Sequence, residues 1–171
     1  MIKLKIGLAI LSLLAGITLA QAETLMGEVV GLADGDTVTV LDAQRVQHKI
    51  RLAGIDAPEK GMPWGQKSKE SLSDRVFRRI VIVEWQKQDR YGRLVGKIMV
   101  DGRDANLAQV ADGMAWHYKD YQKEQTLDDR LRYAQAELDA RNARRGLWAD
   151  PEPVAPWAWR KMKREVRAGQ P

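Results

Sequence analysis

Near the front of the chain, apolar and β-branched residues interleave with polar ones in three short runs. These are Met26 to Val30, Thr37 to Leu41 and Val46 to Leu52, parted by turns that carry Gly and Asp. Such runs predict three β-strands in a meander. Polar and glycine-rich residues from Glu59 to Gly65 predict a loop, after which Gln66 to Phe77 fits a helix with Leu72 and Val76 one turn apart. Ile80 to Glu84 and Leu94 to Val100 are apolar, largely β-branched runs joined by Asp89-Arg-Tyr-Gly-Arg93, the layout of a hairpin with a long tip. Asp104 is placed to cap a helix over Ala105 to Asp112, which Gly113 ends; Leu107, Val110, Ala111 and Met114 form its apolar stripe. A third helix is expected to start at Thr126, where Thr126 and Asp129 resemble a capping box, and to stop at Gly146. Its face of Leu131, Ala134 and Leu138 is expected to pack on the sheet. Beyond Trp148, prolines 151, 153 and 156 argue against a regular element. The basic stretch from Arg160 to Arg167 reads as a solvated appendage.

Five strands from a meander and a hairpin, with three short helices between and after them, fit an α+β protein on a five-stranded OB-type barrel. No regular strand-helix-strand alternation supports a parallel sheet. At 171 residues the chain suffices for one well-buried core. Lys3 and Lys5 precede an apolar run from Ile6 to Leu19, and Ala20-Gln21-Ala22 supplies the small residues a signal peptidase reads. The competing reading, an uncleaved anchor, needs about 20 apolar residues, and this run is shorter and broken by Ser12, Gly16 and Thr18. The expected organisation is therefore a signal peptide over 1–22 cleaved after Ala22, a domain over 23–149, and a Pro/Trp-rich basic tail over 150–171. The product is expected to be secreted or periplasmic.

Composition narrows the chemistry. Without cysteine, thiolate chemistry is absent and stability rests on the core rather than on disulfides. A net charge of +5 suits attraction to a polyanion without identifying one. The two histidines, His48 and His117, have no ligand-like partner nearby in the sequence, so zinc or triad chemistry lacks support.

Three charged stretches end predicted strands: Asp34-Gly-Asp36-Thr, Arg51-Leu-Ala-Gly-Ile-Asp56-Ala57-Pro-Glu59, and Asp89-Arg-Tyr91-Gly-Arg93. Taken singly, each has a plain explanation: turns select Asp and Gly, and surface arginines usually end in salt bridges. Their combination is more telling. Neighbouring barrel strands would bring Asp36 and Asp56 together, and two such carboxylates repel unless a cation joins them. With a backbone carbonyl such as that of Ala57, and water, they form an all-oxygen shell suited to calcium or a similar hard divalent ion. Phosphodiester hydrolysis also needs a proton acceptor for water and positive charge where the transition state gathers negative charge. Glu59, three residues past Asp56, can serve the first need. Arg51 and Arg93 can serve the second through forked donors.

At these stretches the chain resembles the staphylococcal nuclease (thermonuclease) family, and the resemblance extends from Leu25 to Trp148. It implies metal ligation by Asp36, Asp56 and the Ala57 carbonyl, a general base at Glu59, and phosphate binding by Arg51 and Arg93. Tyr91 matches a family tyrosine that contacts phosphate, and Arg144-Arg-Gly-Leu-Trp148 is similar to the end of the family's last helix. Base-stacking aromatics have Trp116, Tyr118 and Tyr121 as candidates, with Tyr118 and Tyr121 taken as substrate-binding and Trp116 open between stacking and core packing. The loop after Glu59 is shorter than in the best-known members and carries Trp64, so loop mobility and polymer grip are expected to differ. The resemblance further implies a calcium-dependent, sugar-nonspecific endonuclease acting on DNA and RNA and leaving 3′-phosphate ends, with a monomer as the simplest state. The competing expectation is a non-catalytic OB domain that binds single strands or a protein.

Overall fold

The computed structural model describes residues 23–169. The leader and its expected cleavage after Ala22 lie outside the described residues, as do the last two positions. Strands β1 (Glu23–Leu32), β2 (Thr37–Asp42) and β3 (Gln47–Leu52) form the antiparallel meander. A two-residue strand β4 (Ile55–Asp56) follows, and then helix α1 (Gly65–Val76). Strands β5 (Ile80–Gln88) and β6 (Leu94–Val100) form the hairpin, and β5 lies antiparallel to β1. The ring closes where β6 runs parallel to β3, with Arg51 opposite Val95. This is a closed five-stranded barrel of the expected OB kind.

Inward side chains alternate along every strand. Val29, Val38, Val40, Ile50, Leu52, Val81, Val83, Leu94, Ile98 and Val100 fill the interior. Each fully buried aliphatic side chain contributes about 1.5–3 kcal/mol, so a cavity-forming change such as Ile50→Ala strikes at the element that carries Arg51. A short strand β7 (Arg103–Asp104) leads into α2 (Ala105–Ala111), and Asp104 caps that helix by accepting the Leu107 N–H at 2.9 Å. Strand β8 (Trp116–His117) pairs antiparallel with β4, setting Asp56 opposite Trp116. Helix α3 (Leu127–Asn142) begins as its sequence indicates, with Thr126 Oγ1 accepting the Asp129 N–H at 3.1 Å.

The buried face of α3 differs from the expected one. Leu131 and Leu138 are 62% and 50% exposed, whereas Tyr133, Glu137 and Ala140 are buried. The helix packs chiefly on α2 and next on β8, with Tyr133 reaching the barrel core. Polar anchors decide this. The Tyr133 hydroxyl donates to Asp104 at 2.8 Å, and Glu137 accepts the His117 N–H at 3.1 Å. Through His117, α3 thus steadies β8 and so the β4 segment that carries Asp56. At the far end Gly113 and Gly146 meet backbone to backbone, the Leu147 N–H donating to the Gly113 carbonyl at 2.8 Å. A Cβ on Gly146 would sit 2.2 Å from that carbonyl oxygen, so glycine is required for the approach as well as for the turn.

The tail departs further from expectation. Residues Pro156–Ala168 form a fourth helix, α4, beside which the described residues hold two 3-10 turns, Lys119–Glu124 and Gly146–Ala149. Pro156 stands in the helix's first turn, where its missing N–H costs nothing and its fixed φ favours helix. Far from being an appendage, α4 is seated on aromatic residues at and just after β8. Trp157 stacks on Tyr118, with ring centroids 5.4 Å apart and planes 11° apart, and its edge meets Trp116.

Candidate active site

The turn between β1 and β2 is held from three sides. Asp34 Oδ1 accepts the Asp36 N–H at 3.1 Å, and the Gly35 carbonyl accepts from the Gln109 side chain of α2 at 3.0 Å. A Cβ on Gly35 would lie 1.8 Å from Ser68 Oγ of α1, so the residue must be glycine for α1 to sit where it does. This clamp aims Asp36 across the end of the barrel. Its Oδ2 accepts the Ala57 N–H at 2.6 Å and its Oδ1 accepts the Thr37 hydroxyl at 3.1 Å. Arg51, from β3, spans two carboxylates: Nη1 lies 3.2 Å from Asp36 and Nη2 lies 3.0 Å from Asp56.

Both aspartates are buried, Asp56 to 1% exposure. Burial raises the pKa of Asp56 above the ordinary carboxyl value, against the opposing pull of Arg160 and Arg51. Asp34 is pushed up to about 6, first by burial and then by the neighbouring charge of Asp36. The end of the barrel sets these buried carboxylates beside the guanidinium groups of Arg51 and Arg160.

Arg93 and Tyr91 come from the β5–β6 tip. Asp89 organises this tip by accepting the N–H groups of Tyr91 at 2.8 Å and Arg93 at 3.1 Å, and it also holds Arg93 Nε at 2.7 Å. Tyr91 is 67% exposed. A groove of about 860 Å³ runs between the tip and the barrel end, and Asp36, Arg51, Asp56, Ala57, Glu59, Tyr91, Arg93, Tyr118 and Tyr121 all line it. Every site candidate but Trp116 thus lines one space. Trp116 instead joins a second apolar cluster with Ala140, Leu147 and Trp148, against which Trp64 also packs. That resolves Trp116 as core, and it anchors the loop after Glu59.

Among the further groove residues are Asp34 and Arg160, neither of which the sequence singled out. Asp34 was visible within its own motif as a second carboxylate. Arg160 of α4 had no such mark. Its Nη2 lies 2.7 Å from Asp56 Oδ2, and its Nη1 lies 2.9 Å from Glu59 Oε1. Burial disfavours the Arg160 charge, but the bonds to Asp56 and Glu59 outweigh it and hold its pKa above the ordinary arginine value.

Among the described residues no three His, Cys, Asp or Glu side chains form a ready metal cage. The donors at hand are Asp36 and Asp56, both turned toward the Arg51 guanidinium, with Asp34 beside Asp36. His117 faces elsewhere, its Nε2 2.8 Å from Gln125 Oε1. An oxygen-only set of this kind fits a hard divalent cation that fills its remaining positions with water and backbone oxygen.

The family model described as staphylococcal nuclease homologue matches residues 49–150. The chain belongs to the staphylococcal nuclease family. Relatives support the same membership. A protein of Escherichia coli named Protein ParB is 42% identical over 169 residues, covering 93% of this chain and 92% of its own length. A Shigella flexneri protein named micrococcal nuclease is 39% identical over 149 residues, 82% of this chain and 83% of its own. One from Haemophilus influenzae named uncharacterized endonuclease is 40% identical over 136 residues, 80% of this chain and 73% of its own. The span matched by the staphylococcal nuclease family holds the groove residues from Arg51 to Tyr121, whereas Asp36 precedes it and α4 follows it.

Proposed function

We propose that this nuclease is a calcium-dependent, sugar-nonspecific endonuclease that hydrolyses phosphodiesters of DNA and RNA and leaves 3′-phosphate ends. The observation that supports the reading best is the convergence of Asp36, Asp56, Glu59, Arg51 and Arg93 on one groove. Asp36, Asp56 and the Ala57 carbonyl would hold the cation, which supplies a Lewis acid for a phosphate oxygen and a site for the attacking water.

The chain's own residues supply the rest. Glu59, at the groove wall, takes a proton from water as the water oxygen bonds to phosphorus. The bond from phosphorus to the 5′ oxygen breaks, and that oxygen leaves with a proton from solvent. Arg51 is fixed between two buried carboxylates, so its guanidinium meets the developing negative charge without reorganising. Arg93 approaches from the opposite wall and pairs with the same phosphate after exchanging its bond to Asp89. Tyr91 adds a hydroxyl for phosphate, and Tyr118 and Tyr121 offer faces on which any base can stack, which accords with low sequence specificity.

Incubation of the purified protein with DNA and with RNA, in calcium and in chelator, tests the reading. Calcium-dependent loss of both polymers with 3′-phosphate products is expected; cleavage that persists in chelator, or 5′-phosphate ends, overturns it. Export belongs to the same proposal. Mass spectrometry of the mature protein from the envelope or medium is expected to find Glu23 at its start, with the protein monomeric in solution.

A further inference from the structure

Helix α4 brings Arg160 to the groove, and Trp157, three residues earlier and so nearly one turn away on the same face, to the Tyr118 ring beside it. Arg160 binds the two carboxylates that matter most to the proposed chemistry. Asp56 Oδ2 lies 2.7 Å from Nη2, Asp56 Oδ1 is shared between Arg160 at 3.3 Å and Arg51 at 3.0 Å, and Glu59 Oε1 lies 2.9 Å from Nη1. Both oxygens of Asp56 are therefore engaged by guanidinium groups. A calcium ion would need a position about 2.3–2.6 Å from one of these oxygens, next to the charge already there.

We propose that α4 is a latch whose Arg160 holds the cation's place against Asp56 and Glu59, so that a divalent cation and docked α4 exclude one another. The inference rests on the metal reading above. Trp157 seats the helix at a second point, beside the groove rather than in it. It stacks on one face of Tyr118 at 5.4 Å and 11°. The helix thus covers the cation's donors with one positive group and is seated beside them by one flat aromatic.

The attachment is of a kind that releases. Pro156 is the one buried residue of α4 among those described, and the Arg160 side chain retains 34% of its exposure. Trp157 gives the helix an apolar hold on Tyr118 and Trp116, and the two ion pairs of Arg160 add to its docking. A divalent cation brings twice the charge of a guanidinium in a smaller volume, and it takes over the carboxylates when its concentration suffices. Release of Arg160 frees Glu59 to accept a proton. The departing helix carries Arg160 and Arg164, which already line the groove, toward an incoming polyanion.

The experiment uses the full mature chain, its Arg160→Gln variant and its Asp56→Asn variant, with calcium binding measured by calorimetry. Tryptic cleavage within α4, after Lys161, Lys163 or Arg164, is followed with and without calcium. Arg160→Gln is expected to bind calcium about ten-fold more tightly, the scale of a charged hydrogen bond no longer displaced. Saturating calcium is expected to speed cleavage of α4 in the unsubstituted protein, and Asp56→Asn is expected to abolish binding. Should calcium bind through Asp56 while Arg160→Gln leaves affinity unchanged or weaker, or should calcium protect α4, the latch is overturned and the metal reading stands. Should neither Arg160→Gln nor the unsubstituted protein bind calcium, both fall.

Discussion

The two walls of the groove are built on opposite plans. On the barrel side Arg51 sits in a strand paired on both edges, and its charge is locked between two buried aspartates. On the hairpin side Arg93 and Tyr91 stand at a tip whose order comes from one residue, Asp89, only four positions away. Burial makes the first wall part of the core's electrostatics, so charge removal there disturbs the fold. At the tip the contacts are local and wetter, and function separates from stability.

Glu59→Gln bears on both walls and carries the largest expected effect. If Glu59 accepts the water proton, turnover is expected to fall by about 10² to 10⁴ with the fold intact; a single-turnover rate near that of the parent rejects the role. Next come the arginines. Either Arg51→Ala or Arg93→Ala is expected to lower turnover by about 10² to 10³, the cost of one preorganised donor. Their stabilities should then part company. Without calcium, Arg51→Ala strips buried Asp36 of its guanidinium and leaves Asp56 to Arg160 alone, and it is expected to lose about 3–5 kcal/mol in urea unfolding. Arg93→Ala is expected to lose less than about 1 kcal/mol, as a same-turn pair at the surface does. Equal losses would erase the distinction between the walls.

A smaller effect probes the tip alone. Tyr91→Phe is expected to raise KM about 2- to 10-fold, the worth of one neutral hydrogen bond, with kcat and unfolding unchanged. A fall in kcat instead would place Tyr91 in the chemistry.

The smallest effect concerns what supports the barrel wall. Burial holds the His117 pKa below its ordinary value. Above the unfolded value of about 6.5 the ring is neutral in both states and costs nothing. As pH falls below it, only the unfolded chain takes the proton readily, so stability drops by at most about 1.4 kcal/mol per pH unit. Asp34, raised to about 6 chiefly by burial, slopes the other way: stability falls as pH climbs toward its folded value. Urea midpoints of the parent and His117→Gln between pH 7.5 and 5 isolate the histidine part. Parallel curves would show that His117 does not titrate differently on folding.

Most of the barrel and most of the groove could be read in advance because their signals are short-ranged. Strand alternation, the Asp104 and Thr126 caps and the tip turn each depend on residues within a few positions, and all appear as expected. The three charged motifs sit at strand ends, so closing the barrel gathered them. The buried face of α3 resisted because Tyr133 and Glu137 look polar in a count of apolar positions. They are buried only because Asp104 and the His117 N–H receive them. Trp116 was undecidable for the mirrored reason: an aromatic suits a base or a core equally, and Trp148 settled it as core.

The sequence by itself determined the order of strands and caps and the identity of the charged groups, since local sterics and periodicity act between near neighbours. Only the tertiary structure decided which of those charges meet. Arg160 finds Asp56 across 104 positions, and no spacing rule reaches so far, because that contact exists only after the barrel has closed and Trp157 has settled on Tyr118.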